Sequence, residues 1–356
     1  MKNEPNNKHL PVEIVFHPSW WHKHTGITFD EDFFYHPIRR VEAERRMEKE
    51  LYEHFGEFGL GEDHNKDLPV IGAVHNAAGY IISEMLGCEI RYSADQAPQV
   101  ISPKREDFDV DVAGAMNTLP IKRLYKLIDE LKMRYGYVCG DINWQGVLNV
   151  ALDLRGDGML TDMMLCPEES EKYFRDIASV IEPFVRFIYS QTGTTSISVN
   201  RIVKHLKPAV FLHSECTHTM ISEDLYEAFL LPVDLKWSET LRPFGIHYCG
   251  PDPHRYAGEF AKIQNLAFLD LGWGGDVKLL REKLPNTFFS IRLDPVTINR
   301  TTNDELEKII RQLINDSGNP ALTGICCINM DGNTEDSKIR TIYRTVEAIK
   351  KDLLIN

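Results

Sequence analysis

The residues best suited to chemistry in this sequence are one imidazole and several thiols that end two short apolar runs. His247 and Cys249 are two residues apart in the segment FGIHYCG at 244–250, and Cys326 and Cys327 end a later run. Residues two apart in a β-strand point to the same side, so His247 and Cys249 would share one face. One imidazole and two thiolates suit a zinc ion that keeps a fourth position open. The pattern therefore predicts a catalytic zinc site.

The third and fourth zinc ligands have alternatives. Adjacent strand residues face opposite ways, so only one of Cys326 and Cys327 would be a ligand, and a bulge at Gly324 would invert the phase. Glu215, expected just after an earlier strand, is a candidate for the fourth ligand or for a proton acceptor. Its alternative role is to orient a ligand histidine. The predicted metal and catalytic set is Glu215, His247, Cys249 and either Cys326 or Cys327.

Alternating strands and helices would position these residues. From residue 137 onward six strand–helix units follow one another, including strands at 209–213 and 245–249 and long helices at 167–192 and 303–316, and two more units fit upstream. Such alternation implies parallel strands joined by right-handed crossovers. Eight units form a (β/α)8 TIM barrel, whose ligands gather where the strands end. A doubly wound sheet is the competitor, but it has no glycine-rich nucleotide turn to support it here.

The predicted organisation is an N-terminal extension over 1–40 followed by one barrel domain over 41–356. The extension is rich in aromatic rings and imidazoles, and Trp20 and Trp21 would form a lid or a wall over a pocket. The alternative is a segment strapped across the outside of the barrel. A second metal site at His22 and His24 is supported only by a single His-x-His motif. Further substrate-binding candidates at predicted strand ends are His75, Asn76, Asp141, Asn143, His213 and Asp294.

Composition narrows the functional class. A chain of 356 residues with 43% hydrophobic content can bury a large core. The net charge of −13 argues against nucleic-acid binding, which requires clustered Lys and Arg. No apolar run is suited to a signal peptide or a membrane span, so a cytoplasmic protein without membrane contact is expected. The seven cysteines lack the regular spacing of a disulfide framework and are interpreted as reduced thiols.

Five segments in the second half of the chain carry a family resemblance. They are HSECTHTMISEDLYEAFLLP at 213–232, HYCG at 247–250, FLDLGWGGD at 268–276, IRLDP at 291–295 and ICCINMDGNTED at 325–336. These segments resemble the uroporphyrinogen decarboxylase superfamily, and within it the methylcobamide:coenzyme M methyltransferase branch. The resemblance implies a (β/α)8 barrel and a zinc held by His247, Cys249 and a distant cysteine. Counting back from Thr334 favours Cys327 over Cys326 for that cysteine.

The resemblance also implies an activity. A methyl group would pass between a corrinoid, as methylcobalamin or cob(I)alamin on a separate corrinoid protein, and a small substrate. That substrate would be a methoxylated aromatic or other methyl donor, or a thiol acceptor, and the direction is open. The alternative is a metal-independent decarboxylase like those of the decarboxylase branch, whose arginine-rich N-terminal motif has no counterpart at 10–40. A non-catalytic accessory barrel is the third hypothesis.

Overall fold

Strands and helices alternate along the computed structural model, which describes residues 10–355 except 65, 73–78, 196 and 198. The strands are β1 (Val12–Phe16), β2 (Val70–Gly72), β3 (Glu89–Arg91), β4 (Gln99–Ile101), β5 (Cys139–Asp141), β6 (Phe211–Glu215), β7 (Phe244–Tyr248), β8 (Leu266–Leu271), β9 (Phe288–Arg292) and β10 (Thr323–Met330). The helices are α1 (Pro18–Thr25), α2 (Glu31–Tyr35), α3 (Pro37–Phe55), α4 (Ile81–Met85), α5 (Leu119–Tyr135), α6 (Val147–Arg155), α7 (Gly158–Leu165), α8 (Pro167–Thr192), α9 (Glu223–Leu225), α10 (Leu231–Thr240), α11 (Ala257–Phe260), α12 (Val277–Lys283), α13 (Pro295–Arg300), α14 (Asn303–Asp316) and α15 (Asp336–Ile355).

The order of the strands is that of a singly wound structure. A parallel six-stranded sheet has the order β1-β10-β9-β8-β7-β6, and β2 and β5 form a separate parallel pair. A doubly wound sheet reverses its strand order midway. Here β6 to β10 are neighbours in sequence, and β1 lies beside β10, as it would in a barrel. The structure therefore shows a parallel six-stranded sheet and a separate parallel pair, and hydrogen bonds between the described residues do not join the two into the closed eight-stranded ring that was predicted.

The N-terminal segment contributes a strand to the six-stranded sheet. Val12–Phe16 forms β1 and pairs in parallel with β10, with Val12 opposite Ile325. Half-buried and buried side chains alternate over its first four residues, as they do in a strand with one covered face. These residues lie inside the predicted extension over 1–40, and the division into an extension and a barrel domain over 41–356 stays a prediction.

Helices α8 and α14 have the predicted bounds. The end of α8 and the start of α14 each have a clear local cause. Gly193 takes the left-handed conformation that ends α8, and a capping box between Thr302 and Glu305 starts α14. Strand β6 instead begins and ends two residues later than predicted, so Glu215 is its last residue. In the described part of the chain, no helix is both long and apolar enough to cross a membrane.

One face of the six-stranded sheet carries a row of polar residues. The strand register places His247 opposite Asp270, and Asp270 opposite Ser290. Two positions further along β9, Arg292 lies opposite Cys326 of β10. Because side chains two apart in a strand share a face, these five residues all point to the same side of the sheet. This face is called the inward face below.

Candidate metal centre

Three side chains that suit a metal ion come together at the ends of β6 and β7. The ligand atoms of Cys216, His247 and Cys249 all lie within 4.8 Å of one another. Ser214 lies opposite His247 in the register, so Cys216 and Cys249, each two residues further on, point to the same inward face. The predicted pair of His247 and Cys249 is thus brought together, and it is joined by a thiol that was not predicted as a ligand.

His247 is held in the orientation of a metal ligand. Its Nδ1 atom lies 2.6 Å from Oδ2 of Asp270 and also contacts the side-chain oxygen of Asn200. Its Nε2 atom is buried, and within the part of the chain that the structure describes it has no hydrogen-bond partner. Metal-bound histidines commonly use one nitrogen for the metal and the other for a carboxylate. Burial alone would lower the pKa of His247, but the Asp270 carboxylate outweighs burial and raises it.

The charge of Asp270 is balanced inside the sheet. Asp270 is fully buried and accepts hydrogen bonds from the Asn200 amide, at 3.0 Å, and from the Arg292 guanidinium. Arg292 is also buried, and its Nη1 atom donates to Sγ of Cys249 at 3.0 Å. A buried carboxylate and a buried guanidinium that hold each other in this way avoid the cost of an unpaired charge.

The two thiols of the group differ in acidity. The hydrogen bond with Cys216, aided by the charge of Arg292, holds the pKa of Cys249 well below its usual value. The same hydrogen bond, together with burial, raises the pKa of Cys216 well above the usual value. Cys249 is therefore the thiol of the pair that ionises first, and Cys216 keeps its proton to higher pH. Binding of a metal by both sulfurs would release the proton of Cys216 as well.

The donor set fits zinc. It offers two sulfurs and one buried nitrogen for which the described residues provide no hydrogen-bond partner, and these are the atoms that zinc prefers. Two thiolates and Zn²⁺ give a centre of zero formal charge, while Asp270 and Arg292 cancel each other beside it. Three protein ligands leave a fourth position for a substrate or water.

The cysteines of β10 do not join this group. The Sγ atom of Cys326 lies 3.7 Å from Oδ1 of Asp270 on the inward face. The Sγ atom of Cys327 points the other way, to the carbonyl oxygens of Leu293 and Ile328, each at 3.5 Å. The alternation of β10 thus places Cys326, and not the preferred Cys327, on the side of the metal group, and a ligand role of either cysteine stays a prediction.

Glu215 also lies outside the group. Its carboxylate accepts hydrogen bonds from the backbone of Leu148 at 2.8 Å and of Thr217 at 3.1 Å. Burial alone would raise the pKa of Glu215, but the hydrogen bond and charge of His213 lower it to about 2. A carboxylate with so low a pKa is a poor proton acceptor at neutral pH. Glu215 instead anchors the positive N-terminal end of α6 beside β6.

His213 lies on the opposite side of β6 from the metal group. Its Nδ1 atom is 2.6 Å from Oδ1 of Asp234, and its Nε2 atom is 3.6 Å from Oε2 of Glu215. Burial would lower the pKa of His213, but these two carboxylates raise it to about 9. The histidine is completely buried between them. The structure gives it a place in a buried charge network and does not bring it to the metal group.

The other predicted strand-end residues have local partners. Asp141 pairs with Lys204 at 2.9 Å and with Arg201 at 3.2 Å. Asp294 caps α13, because its carboxylate accepts the backbone N–H of Thr297 at 2.9 Å. A direct role of either carboxylate in substrate binding stays a prediction.

Asn143 lies nearer to the metal group. Its side-chain oxygen accepts a hydrogen bond of 2.7 Å from Ser214, the residue opposite His247 in the strand register. Asn143 also lines a small cavity of about 30 Å³ together with Tyr35 and Tyr80. Asn143 thus lies between the metal group and a tyrosine-lined cavity.

The remaining predicted residues lie in the N-terminal half of the chain. Trp20 and Trp21 are 0% and 3% exposed, and the Trp20 ring packs 4.3 Å from the ring of Phe16. Both indoles pack in the core, and a part in substrate binding stays a prediction. His75 and Asn76 lie outside the described residues.

Sequence reasoning missed Cys216, Asp270, Arg292 and Asn200. A signal was present for two of them, since a lone charged residue within an apolar strand needs a buried partner. Asp270 in LAFLDL and Arg292 in FFSIRL are such residues. Asn200 gave no comparable signal because it follows no strand in the predicted pattern.

No family model matches the sequence, and no curated protein matches it. The fold is similar to that of a methyltransferase from Methanosarcina mazei, with a TM-score of 0.65 and 14% identity over 98% of this chain and 96% of the other. It is also similar to a B12-independent methionine synthase from Shewanella sp. W3-18-1 in complex with selenomethionine, with a TM-score of 0.53 and 12% identity over 98% of this chain and 100% of the other. At these identities the likeness shows a shared fold.

Proposed function

We propose that this protein is a zinc-dependent methyltransferase that transfers a methyl group between a corrinoid carried on a separate protein and a small substrate. The observation that carries the proposal is the buried Nε2 atom of His247. Among the described residues it has no hydrogen-bond partner, Asp270 orients the ring through the other nitrogen, and the sulfurs of Cys216 and Cys249 lie within 4.8 Å of the same ligand group. The proposed ligands are these three residues.

Each residue around the ligands has a proposed task. Asp270 fixes the ring of His247 and makes its free nitrogen a better donor. Arg292 stabilises the Cys249 thiolate by a hydrogen bond. The backbone N–H of Cys216 donates to the Asn149 side chain at 2.7 Å, which fixes the position of that thiol. A bound zinc would supply Lewis-acid chemistry, lowering the pKa of a thiol substrate or polarising a leaving group.

The fold supports the methyl-transfer part of the proposal. One structural neighbour is named a methyltransferase and the other a methionine synthase. The corrinoid part rests on the resemblance of the five sequence segments alone, and the methionine synthase is described as B12-independent. The assay should therefore supply the purified protein with methylcobalamin and a series of thiols, and separately with cob(I)alamin and methoxylated aromatics. Loss of the methylcobalamin spectrum only with enzyme and acceptor supports the proposal.

The metal part is tested by elemental analysis of protein purified without chelator. Cys216→Ser and Cys249→Ser are each expected to contain about one equivalent of zinc less than the parent protein. Cys326→Ser and Cys327→Ser are the matched controls and are expected to keep the parent content. Retention of zinc by both Cys216→Ser and Cys249→Ser would refute the site. Loss in Cys326→Ser but not in Cys216→Ser would transfer the third ligand to β10.

The decarboxylase alternative requires cationic side chains that are free to hold the carboxylates of a substrate. The guanidinium of Arg292, which lies beside the metal group, already binds Asp270 and Cys249. Enzyme activity toward a carboxylate substrate that survives loss of all bound metal would favour this alternative.

A further inference from the structure

A second cluster of metal-binding side chains lies away from the inward face, where α1, α3 and α15 meet. It consists of His24 near the end of α1 and of Glu50 and His54, which are one turn apart on α3. We propose that these three residues form a second transition-metal site, best suited to zinc. The proposal is independent of the proposed function, because none of its residues belongs to the metal group of Cys216, His247 and Cys249.

The distances within the cluster suit a common ion. Oε1 of Glu50 lies 3.5 Å from Nδ1 of His24 and 3.1 Å from Nε2 of His54. Tetrahedral zinc with nitrogen and oxygen ligands at about 2.0 Å places its ligand atoms about 3.3 Å from one another. The two separations lie on either side of that value. All three ligand atoms also lie within 4.8 Å of one another, so only small side-chain rotations are needed.

The surroundings orient both imidazoles. Oδ2 of Asp336, the first residue of α15, lies 2.7 Å from Nδ1 of His54. His54 thus has a carboxylate on the nitrogen opposite the proposed metal, as His247 has in Asp270. The ring of His24 stacks on the Trp20 indole with 4.1 Å between ring centroids. This packing holds His24 in place before any ion binds, which lowers the entropic cost of binding.

Charge and access also favour a divalent cation. The carboxylates of Glu50 and Asp336 carry two formal negative charges, which would balance the two positive charges of a divalent ion. The nearby Arg340 directs its guanidinium to Glu57 and to the backbone carbonyl of His54. Both partners lie outside the three ligand side chains. The side chains of His24, Glu50 and His54 are 21%, 19% and 28% exposed. An ion can therefore enter from solvent, while the ligands remain sheltered enough to be ordered.

The site would join three parts of the chain that are far apart in sequence. The rival interpretation is a network of ion pairs and hydrogen bonds among the same residues with no ion. Metal binding distinguishes the two, because an ion-pair network has no need for zinc. Zinc itself is the probe, and equilibrium dialysis of the full-length protein measures the number of equivalents bound.

In a Cys249→Ala background, which removes a ligand of the first group, about one equivalent of zinc is expected to remain bound. Adding Glu50→Gln or His54→Ala should remove it, and adding Asp336→Asn should weaken it about ten- to hundredfold. Glu53→Gln on the same helix and His64→Ala, at a histidine whose side chain is 84% exposed, are the matched controls and should leave it unchanged. If Cys249→Ala fails to fold, Glu50→Gln and His54→Ala in the parent protein should each lower the zinc content by about one equivalent, and the two controls should keep it.

A spectroscopic readout locates the ion. Cu²⁺ bound at His24 should quench the fluorescence of the stacked Trp20, and Trp20→Phe should remove that part of the quenching. Zinc binding that is unchanged in both Glu50→Gln and His54→Ala, with circular dichroism showing folded protein, would overturn the proposal. Equal losses in Glu53→Gln or His64→Ala would also overturn it, since those residues lie outside the cluster.

Discussion

Asp270 Oδ2 lies 2.6 Å from the Nδ1 atom of His247, on the side of the ring opposite the buried Nε2 atom, which has no hydrogen-bond partner among the described residues. The same carboxylate accepts hydrogen bonds from Asn200 and Arg292, and Arg292 in turn contacts Cys249. One buried acid therefore orients the imidazole ligand and, through the guanidinium, supports the thiolate ligand. Two of the three proposed ligands are thus positioned by a residue that was not predicted from the sequence.

Replacement of this acid tests its positioning role. Asp270→Asn keeps the shape of the side chain but loses the charge that orients and polarises His247, so zinc affinity should fall about ten- to hundredfold. Competition with a chromophoric chelator measures the affinity. Asp234→Asn is the matched control, since Asp234 holds His213 at the same distance of 2.6 Å on the opposite side of β6. An equal loss of affinity in both variants would indicate general destabilisation.

Alkylation of the metal-free protein should report the state of Cys249. Because its pKa lies well below the usual value, iodoacetamide at pH 7 should modify Cys249 before Cys139, whose pKa burial raises to about 11. Arg292→Met should slow the reaction at Cys249, since it removes the stabilising guanidinium, and added zinc should block it. Mass spectrometry of peptides at timed intervals gives both rates. Faster labelling of Cys139 would contradict the lowered pKa of Cys249.

The buried network around His213 should make stability depend on pH. His213 has a pKa of about 9 in the folded protein against an ordinary 6.5, so its contribution is complete below pH 6.5 and is lost as the pH rises through 9. The pKa of Glu215 is lowered to about 2 from 4.5, so its contribution is present above pH 4.5 and is lost as the pH falls toward 2.

Urea unfolding at pH 6.5 and pH 9 measures the alkaline part of this dependence. The free energy of unfolding of the parent protein should be lower at pH 9, and His213→Gln should show a smaller difference between the two values. His64→Gln, at an exposed position, should retain the parent difference. A difference that His213→Gln leaves unchanged would assign the alkaline loss to other groups.

Close packing at Gly146 gives a prediction about stability. A Cβ atom at this position would lie 2.4 Å from Oε2 of Glu215, which is too close for any real contact. Gly146→Ala should therefore displace Glu215 from the start of α6 and cost about 1–3 kcal/mol in the free energy of unfolding. Gly158→Ala is the control, because a Cβ there meets no atom within 4 Å. Similar midpoints of chemical unfolding for both variants would show that the contact has no energetic weight.

The sequence was sufficient for the strand–helix alternation and for the pairing of His247 with Cys249. Both follow from periodicity, since a residue two positions along a strand returns to the same face. The third ligand depended on where β6 ends. That strand runs two residues beyond its predicted end, which places Cys216 directly after it and on the face of Cys249. Apolar runs define the existence of a strand better than its last residue.

The charged residues behind the ligands were beyond the reach of pattern reasoning for a different reason. Asp270 and Arg292 belong to neighbouring strands, and their partnership depends on register, which no local pattern determines. The choice between Cys326 and Cys327 likewise could not be made from the sequence. It depends on which of these two adjacent residues faces the metal group, and the local pattern does not determine this. Likewise, the ligand partners of His24 are provided by α3, a separate helix that folds back onto α1.

Strands β1 and β10 pair residues that are more than 300 positions apart, such as Val12 and Ile325. Closing so long a loop is entropically costly and slow compared with pairing β6, β7 and β8, which follow one another in sequence. During synthesis, the strands that carry the metal group can therefore pair before β10, the partner of β1, has been made. Until the ribosome releases β10, that first strand presents an open hydrogen-bonding edge, and chaperone contact in this interval would protect it from pairing with another chain.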